Sequence, residues 1–299
     1  MTLFTEDGID LDKIYLAVRN STQPQSIETR KEADLLWSKF KQFADIEFVK
    51  EFARNTEQRY WEMYLACALL DIGMKLEPKK IGPDICAMHA NQRYWFEAIA
   101  PTSGAATSKD RIPEFRVTTP SVAQRVPVEK ILLRFLSAIS EKKRKFDEYR
   151  AKGIISDKDI CIIALSGAII GVRSGGGPGL PYILKALFPI GDQYASFLVD
   201  SNSDAESGYF FRSSIPKSSG TSVDSGYFLN EGYKTVSGVI FCSRGIGNTP
   251  ELLGSNFLLI HNPFATIRLP PGLLSRGAEY RAVLFDDKFR FDVERFPEF

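Results

Sequence analysis

The run Ile160-Cys161-Ile162-Ile163-Ala164-Leu165, closed by Ser166, limits the possible folds more than any other segment of the chain. Alternate residues of a strand point to opposite faces, and here both sets are apolar, so the strand must be covered on both sides. That is the pattern of a central strand in a layered α/β core. No apolar run in the chain approaches the ~20 residues that a membrane span needs. The chain has 299 residues, 44% apolar and 25% charged, which is ordinary for a soluble globular protein able to bury a sizeable core. A formal net charge of +1 argues against non-specific coating of nucleic acid but leaves room for a local basic cleft. The first residues lack the basic and apolar regions of a signal peptide. Cys67, Cys86, Cys161 and Cys242 are scattered through apolar segments with no paired spacing, so they read as reduced core residues of a cytoplasmic protein, not as a zinc site.

Upstream of that strand, Ile85 to Met88 and Tyr94 to Ala100 read as two strands of a hairpin, joined through His89-Ala90-Asn91-Gln92-Arg93. If the turn centres on Ala90-Asn91, His89 faces Gln92 and Asp84 faces Glu97, since both pairs of numbers sum to 181. Residues directly opposite share a face with Cβ atoms ~5 Å apart. Two carboxylates that close repel, and a cation relieves the repulsion; Mg²⁺ suits the place because it takes oxygen ligands. The register depends on an even loop, because a slip of one residue sends the acids to opposite faces.

A third acid precedes the hairpin. Glu57 to Leu70 reads as a helix closed by Gly73, with Trp61, Leu65, Ala68, Leu69 and Ile72 as its apolar stripe. Glu62 stands at the border of the stripe, where it can lean toward the sheet edge. Glu57 falls within the stripe's sector but near the helix start, where an acid also favours the helix dipole, so Glu62 is preferred.

The succession Tyr60-Trp61-Glu62-Met63-Tyr64, Gly82-Pro83-Asp84-Ile85 and Trp95-Phe96-Glu97-Ala98-Ile99-Ala100-Pro101 resembles the PD-(D/E)xK nuclease superfamily, the restriction-endonuclease-like proteins. The likeness covers about residues 55 to 101 and weakens toward residue 200. It implies an α/β fold, a mixed sheet flanked by helices, and Mg²⁺- or Mn²⁺-dependent hydrolysis of phosphodiesters in nucleic acid, DNA in the first instance. Asp84 and Glu97 would hold the metal, and Glu62 would assist directly or through a bound water. The signature lysine, two residues after the strand acid, is replaced by Ile99, which can neither orient a water nor offset charge.

A substitute cation is sought on Val128 to Arg150, which reads as a helix ended near Gly153. Its apolar stripe is Ile131, Leu132, Phe135, Ile139, Phe146 and Tyr149, and Lys142 lies in the middle of it, while Lys143, Arg144 and Lys145 point mostly away. A lysine there must find an acid or a polar cleft, because an unpaired buried charge is costly. Alternatively its stem covers apolar surface and its amine reaches water.

The chain thus divides into a helical N-terminal extension (1–50), a nuclease-like α/β core (51–200) and a β-rich C-terminal extension (201–299), with strands expected at Val236 to Cys242 and Phe257 to His261. The segment Gly171 to Gly179 lacks the Gly-Lys-Ser/Thr ending of a phosphate loop and reads as a flexible loop in which Arg173 could touch a phosphate. His261 reads as a hydrogen-bonded structural histidine. The expected function is a metal-dependent endonuclease, with Glu62, Asp84, Glu97 and Lys142 as site residues. Its partner is nucleic acid, with no membrane, and a homodimer is an allowed assembly. The alternative is a catalytically inactive module of the same fold that binds nucleic acid or a protein partner.

Overall fold

The computed structural model describes residues 2–79, 81–114, 124–171, 175–176, 179–196, 206–284 and 291–296; Arg173, and Lys80 as a further stand-in for the missing lysine, lie outside them. The elements run α1 (Lys13–Asn20), α2 (Pro24–Phe40), α3 (Phe48–Arg54), α4 (Thr56–Asp71), β1 (Lys75–Leu76), β2 (Ile85–His89), β3 (Gln92–Ile99), α5 (Val128–Ala151), β4 (Ile160–Ser166), α6 (Tyr182–Leu187), β5 (Ile190–Ser196), β6 (Glu206–Phe211), β7 (Ser214–Pro216), β8 (Ser222–Asp224), β9 (Gly238–Cys242), β10 (Leu258–His261), β11 (Ala278–Leu284) and β12 (Phe291–Phe296).

Eight strands form one mixed sheet in the order β1-β2-β3-β4-β9-β10-β11-β12, and β5–β6 and β7–β8 form separate two-stranded ribbons. β1, β2 and β3 are antiparallel, whereas β4 runs parallel to both β3 and β9. All of β4 is buried. Ile160, Ile162 and Ala164 join the apolar layer under α4, and Cys161, Ile163 and Leu165 join the layer under α5 and α6. This two-sided covering is why the strand tolerates no polar residue before Ser166.

The N-terminal helices do more than cover the outside. Tyr15, Leu36, Trp37, Phe40, Phe48 and Phe52 are buried in the same apolar layer as α4 and the sheet. As a result α4 is buried nearly all round, including Tyr60, Met63, Tyr64, Ala66 and Cys67, beyond the stripe that periodicity marks. A helix covered on every side shows little amphipathic pattern. Trp61 Nε1 donates to the Ala164 carbonyl at 2.9 Å, tying the helix to β4.

The strands after residue 200 complete the main sheet. β9 pairs along β4 from Ile162↔Gly238 to Ser166↔Cys242, so residue 200 does not divide the sheet. β9 approaches its neighbours closely at Gly238, where an added Cβ would lie 2.8 Å from the Ile260 carbonyl oxygen and 2.4 Å from Leu269 Cδ1. All four cysteines are buried and free. Among the described residues no helix is long and apolar enough to cross a membrane.

Candidate functional site

The β2–β3 hairpin sets the site. Its register runs from His89↔Gln92 to Ile85↔Phe96, which carries on to Asp84 opposite Glu97. The turn residues Ala90 and Asn91 have φ of 46° and 62°, so a two-residue loop of the kind that matches strand twist closes the ladder. β2 begins only at Ile85, and ahead of it side chains replace its backbone against β3. Asp84 Oδ2 accepts from the Ala98 N–H at 2.7 Å. The Gln58 amide, on α4, accepts from Ala100 N at 2.7 Å and donates to the Ala98 carbonyl at 3.3 Å. Glu97 therefore sits on a strand segment fixed on both edges, by β4 on one side and by these two side chains on the other.

By strand alternation Glu97 lies on the same face as Trp95, which belongs to the layer under α5. Lys142 comes down on it from that helix. Its Nζ is 2.6 Å from Glu97 Oε2 and 3.5 Å from Asp84 Oδ2. The Glu97 and Lys142 side chains are 1% and 6% exposed, against 30% for Asp84, which opens the group to solvent. Lys145, one turn further along α5, places its Nζ 3.9 Å from the same Glu97 oxygen while keeping a 36% exposed side chain. Periodicity alone turns Lys145 away; a long flexible side chain at the stripe's border bends back toward the buried carboxylate.

Two carboxylates face the buried Lys142 ammonium and the more exposed Lys145 ammonium, and the titration behaviour follows burial first and these charges second. Burial pushes the Glu97 carboxyl above its usual range, the Asp84 charge pushes it further, and Lys142 pulls it back. Burial pulls the Lys142 ammonium down, but Asp84 and Glu97 more than offset this and its net shift is upward.

Glu62 is placed differently. It is on α4, against the opposite face of the sheet, and its Oε2 is bound at 2.9 Å by Arg59. Burial, then the nearby Asp84 charge, raises its carboxyl to about 7, with Arg59 opposing. The structure thus brings Asp84, Glu97 and Lys142 into contact and keeps Glu62 within electrostatic reach of Asp84 without a hydrogen bond to any of the three. Among the described residues no group of three or more His, Cys, Asp or Glu side chains is placed to hold a metal ion. The donor chemistry of Asp84 and Glu97 still fits Mg²⁺, which commonly binds through one or two carboxylates together with waters and substrate phosphates. Asp84 Oδ1 and Glu97 Oε1 carry none of the hydrogen bonds above.

Gln58 and Lys145 escape a reading of the sequence by motif. The signal for both is helical spacing, Gln58 four residues before Glu62 and Lys145 three after Lys142. His261 is remote from this group and pairs its Nε2 with Glu279 Oε2 at 2.9 Å. Comparison of the chain with protein-family models, with curated proteins and with solved structures returns no match.

Proposed function

We propose that the chain is a Mg²⁺- or Mn²⁺-dependent nuclease of restriction-endonuclease-like fold, acting on nucleic acid and on DNA first. The observation that carries the reading is the Lys142 amine lying 2.6 Å from Glu97 and 3.5 Å from Asp84. It supplies from a helix the positive charge that Ile99 cannot supply from the strand. The mixed sheet, with helices packed on both faces, is of the kind such a fold requires.

Asp84 and Glu97 would hold the ion, and Asp84 presents it to solvent. When bound, the ion would polarise the scissile phosphate and lower the pKa of its water. Lys142 offsets negative charge as it develops on the phosphate. Lys145 reaches outward to a phosphate oxygen. Glu62, at the edge of the group and half protonated near neutrality, holds a water beside Asp84. Cleavage of plasmid and oligonucleotide substrates with Mg²⁺ or Mn²⁺ tests this, comparing wild type with Asp84→Ala and Glu97→Ala. Equal activity in all three, or none in the wild type, overturns it.

One observation favours a second reading, a catalytically silent module that binds nucleic acid or protein. The Lys142 ammonium already occupies the acid pair as a resident cation. That reading expects no calorimetric metal binding and no cleavage.

A further inference from the structure

The outer side of α5 borders a cavity of about 520 Å³ with no role in the chemistry above. Its walls are held together by polar bonds. Arg134 Nε donates to the Thr102 carbonyl at 2.9 Å, which ties α5 to the loop that leaves β3. Asp110 Oδ1 accepts from Ser218 N at 2.9 Å and from Ser218 Oγ at 2.6 Å, tying that loop to the β7–β8 ribbon. Lys130 donates to the Lys109 and Arg111 carbonyls. The cavity is therefore built before any ligand arrives, and a preformed site of this size suits a small-molecule-sized unit.

Its lining has two characters. Arg134, Lys217 and the Ser137 hydroxyl are donors. Among the described residues the terminal Arg134 nitrogens, Lys217 Nζ and Ser137 Oγ make no hydrogen bond, so they are available to an anion. The one acid in the wall, Asp110, accepts both Ser218 bonds and keeps its charge, which the nearby Lys130 and Lys217 ammoniums offset. Leu133, Val223 and Tyr227 supply an apolar and aromatic floor, with the Tyr227 ring stacked on Tyr233 at 4.1 Å. Cationic donors over an aromatic floor match a phosphorylated, ring-bearing unit. Arg134 is eight residues before Lys142 on the same helix, ~12 Å along its axis. These positions also differ by about 80° around the helix, so a strand that meets both bends over the α5 surface.

We propose that this cavity is a second contact for the nucleic-acid strand, seating one nucleotide away from the phosphate at the acid pair. Arg134, Lys217 and Ser137 take its phosphate, and Leu133, Val223 and Tyr227 take its base. The identity of the ligand rests on the nuclease reading; the anion-binding character rests on the cavity itself.

The test is fluorescence anisotropy of a labelled single-stranded oligonucleotide, DNA in one arm and RNA in the other, with EDTA present so that binding is read without cleavage. Lys217→Glu and Arg134→Gln are each expected to weaken binding ~tenfold and to lower the slope of log affinity against log salt by about one. Lys217→Glu removes no hydrogen bond made among the described residues, so its thermal melt is expected to match wild type and separates binding from folding. If the wild type binds and both variants bind equally well with the same salt slope, the proposal is overturned, and the nuclease reading is judged separately on Asp84→Ala cleavage. If the wild type binds neither oligonucleotide, the proposal is also overturned, and the nuclease reading falls with it only if cleavage is absent too.

Discussion

Lys142 Nζ lies 2.6 Å from Glu97 Oε2 across 45 positions of sequence, in a layer where both side chains are almost fully buried. The pair couples stability to pH. Glu97 is raised by burial and by Asp84 and pulled back by Lys142. Without Lys142 its carboxyl rises further. A carboxyl whose folded pKa is raised stabilises the fold below its unfolded pKa, and that contribution is lost as pH rises through the folded value. Lys142→Met is therefore expected to cost about 3–5 kcal/mol at about pH 8, and less at about pH 5, where Glu97 can keep its proton. Urea unfolding at the two pH values measures this. Adding Glu97→Leu is expected to recover most of the loss, because a well-packed apolar pair replaces a buried ion pair at little cost.

The same lysine competes with any divalent ion for the acid pair. On the nuclease reading, Lys142→Met is expected to bind Mn²⁺ more tightly than wild type while its cleavage rate drops at least ~100-fold, and Asp84→Ala is expected to lose both binding and cleavage. Isothermal titration set beside a cleavage assay separates these outcomes. Weaker Mn²⁺ binding in Lys142→Met would show that the ammonium organises the carboxylates for the ion instead of occupying its place.

How far the site could be read from the chain differs residue by residue. The Asp84–Glu97 pairing was legible because a two-residue loop of Ala90 and Asn91 fixes the register within a few positions, and short-range geometry survives folding. Lys142 was legible because a charge in an apolar stripe must be explained wherever the helix packs. Lys145 was not, since a helical angle gives the direction of Cβ and says nothing of the reach of four methylenes. Glu62, expected at the border of the helix stripe leaning toward the sheet edge, belongs to the opposite layer because α4 covers the other face of the sheet. The pairing of β4 with β9 depends on a partner far along the chain that no local pattern names, which is why residues after 200 read as an addition.

Glu57 offers a pH prediction outside the acid pair. Burial raises its carboxyl to about 7, partly relieved by the bond from Ile246 N at 3.3 Å, and Asp12 adds to the rise. Being raised, it contributes stability that is full below its unfolded value near 4.5 and is lost as pH climbs to about 7. Glu57→Gln keeps an acceptor for Ile246 and cannot ionise. It is expected to remove that part of the pH slope and to gain about 2 kcal/mol over wild type at about pH 8. Melting temperatures across the acid-to-neutral range decide it; an unchanged slope would place the titration elsewhere.

Gly238 leaves no room for a side chain in the centre of the sheet. A methyl group there meets the Ile260 carbonyl oxygen and Leu269 Cδ1 well inside contact distance. Gly238→Ala is expected to destabilise by about 1–3 kcal/mol, read as a lowered urea midpoint with unchanged slope.

The placement of β9 beside β4 also bears on how the protein is made. Gly238 follows Ser166 by 72 positions, and until it leaves the ribosome one edge of a wholly buried strand has no partner. At ~5–20 residues per second that exposure lasts roughly 4–14 s, ample time for two nascent chains to join edge to edge. Glu62, Asp84, Glu97 and Lys142 have all been translated before it ends. The chain thus carries its full set of charged groups through a hazardous interval in which the scaffold meant to hold them is still open on one side.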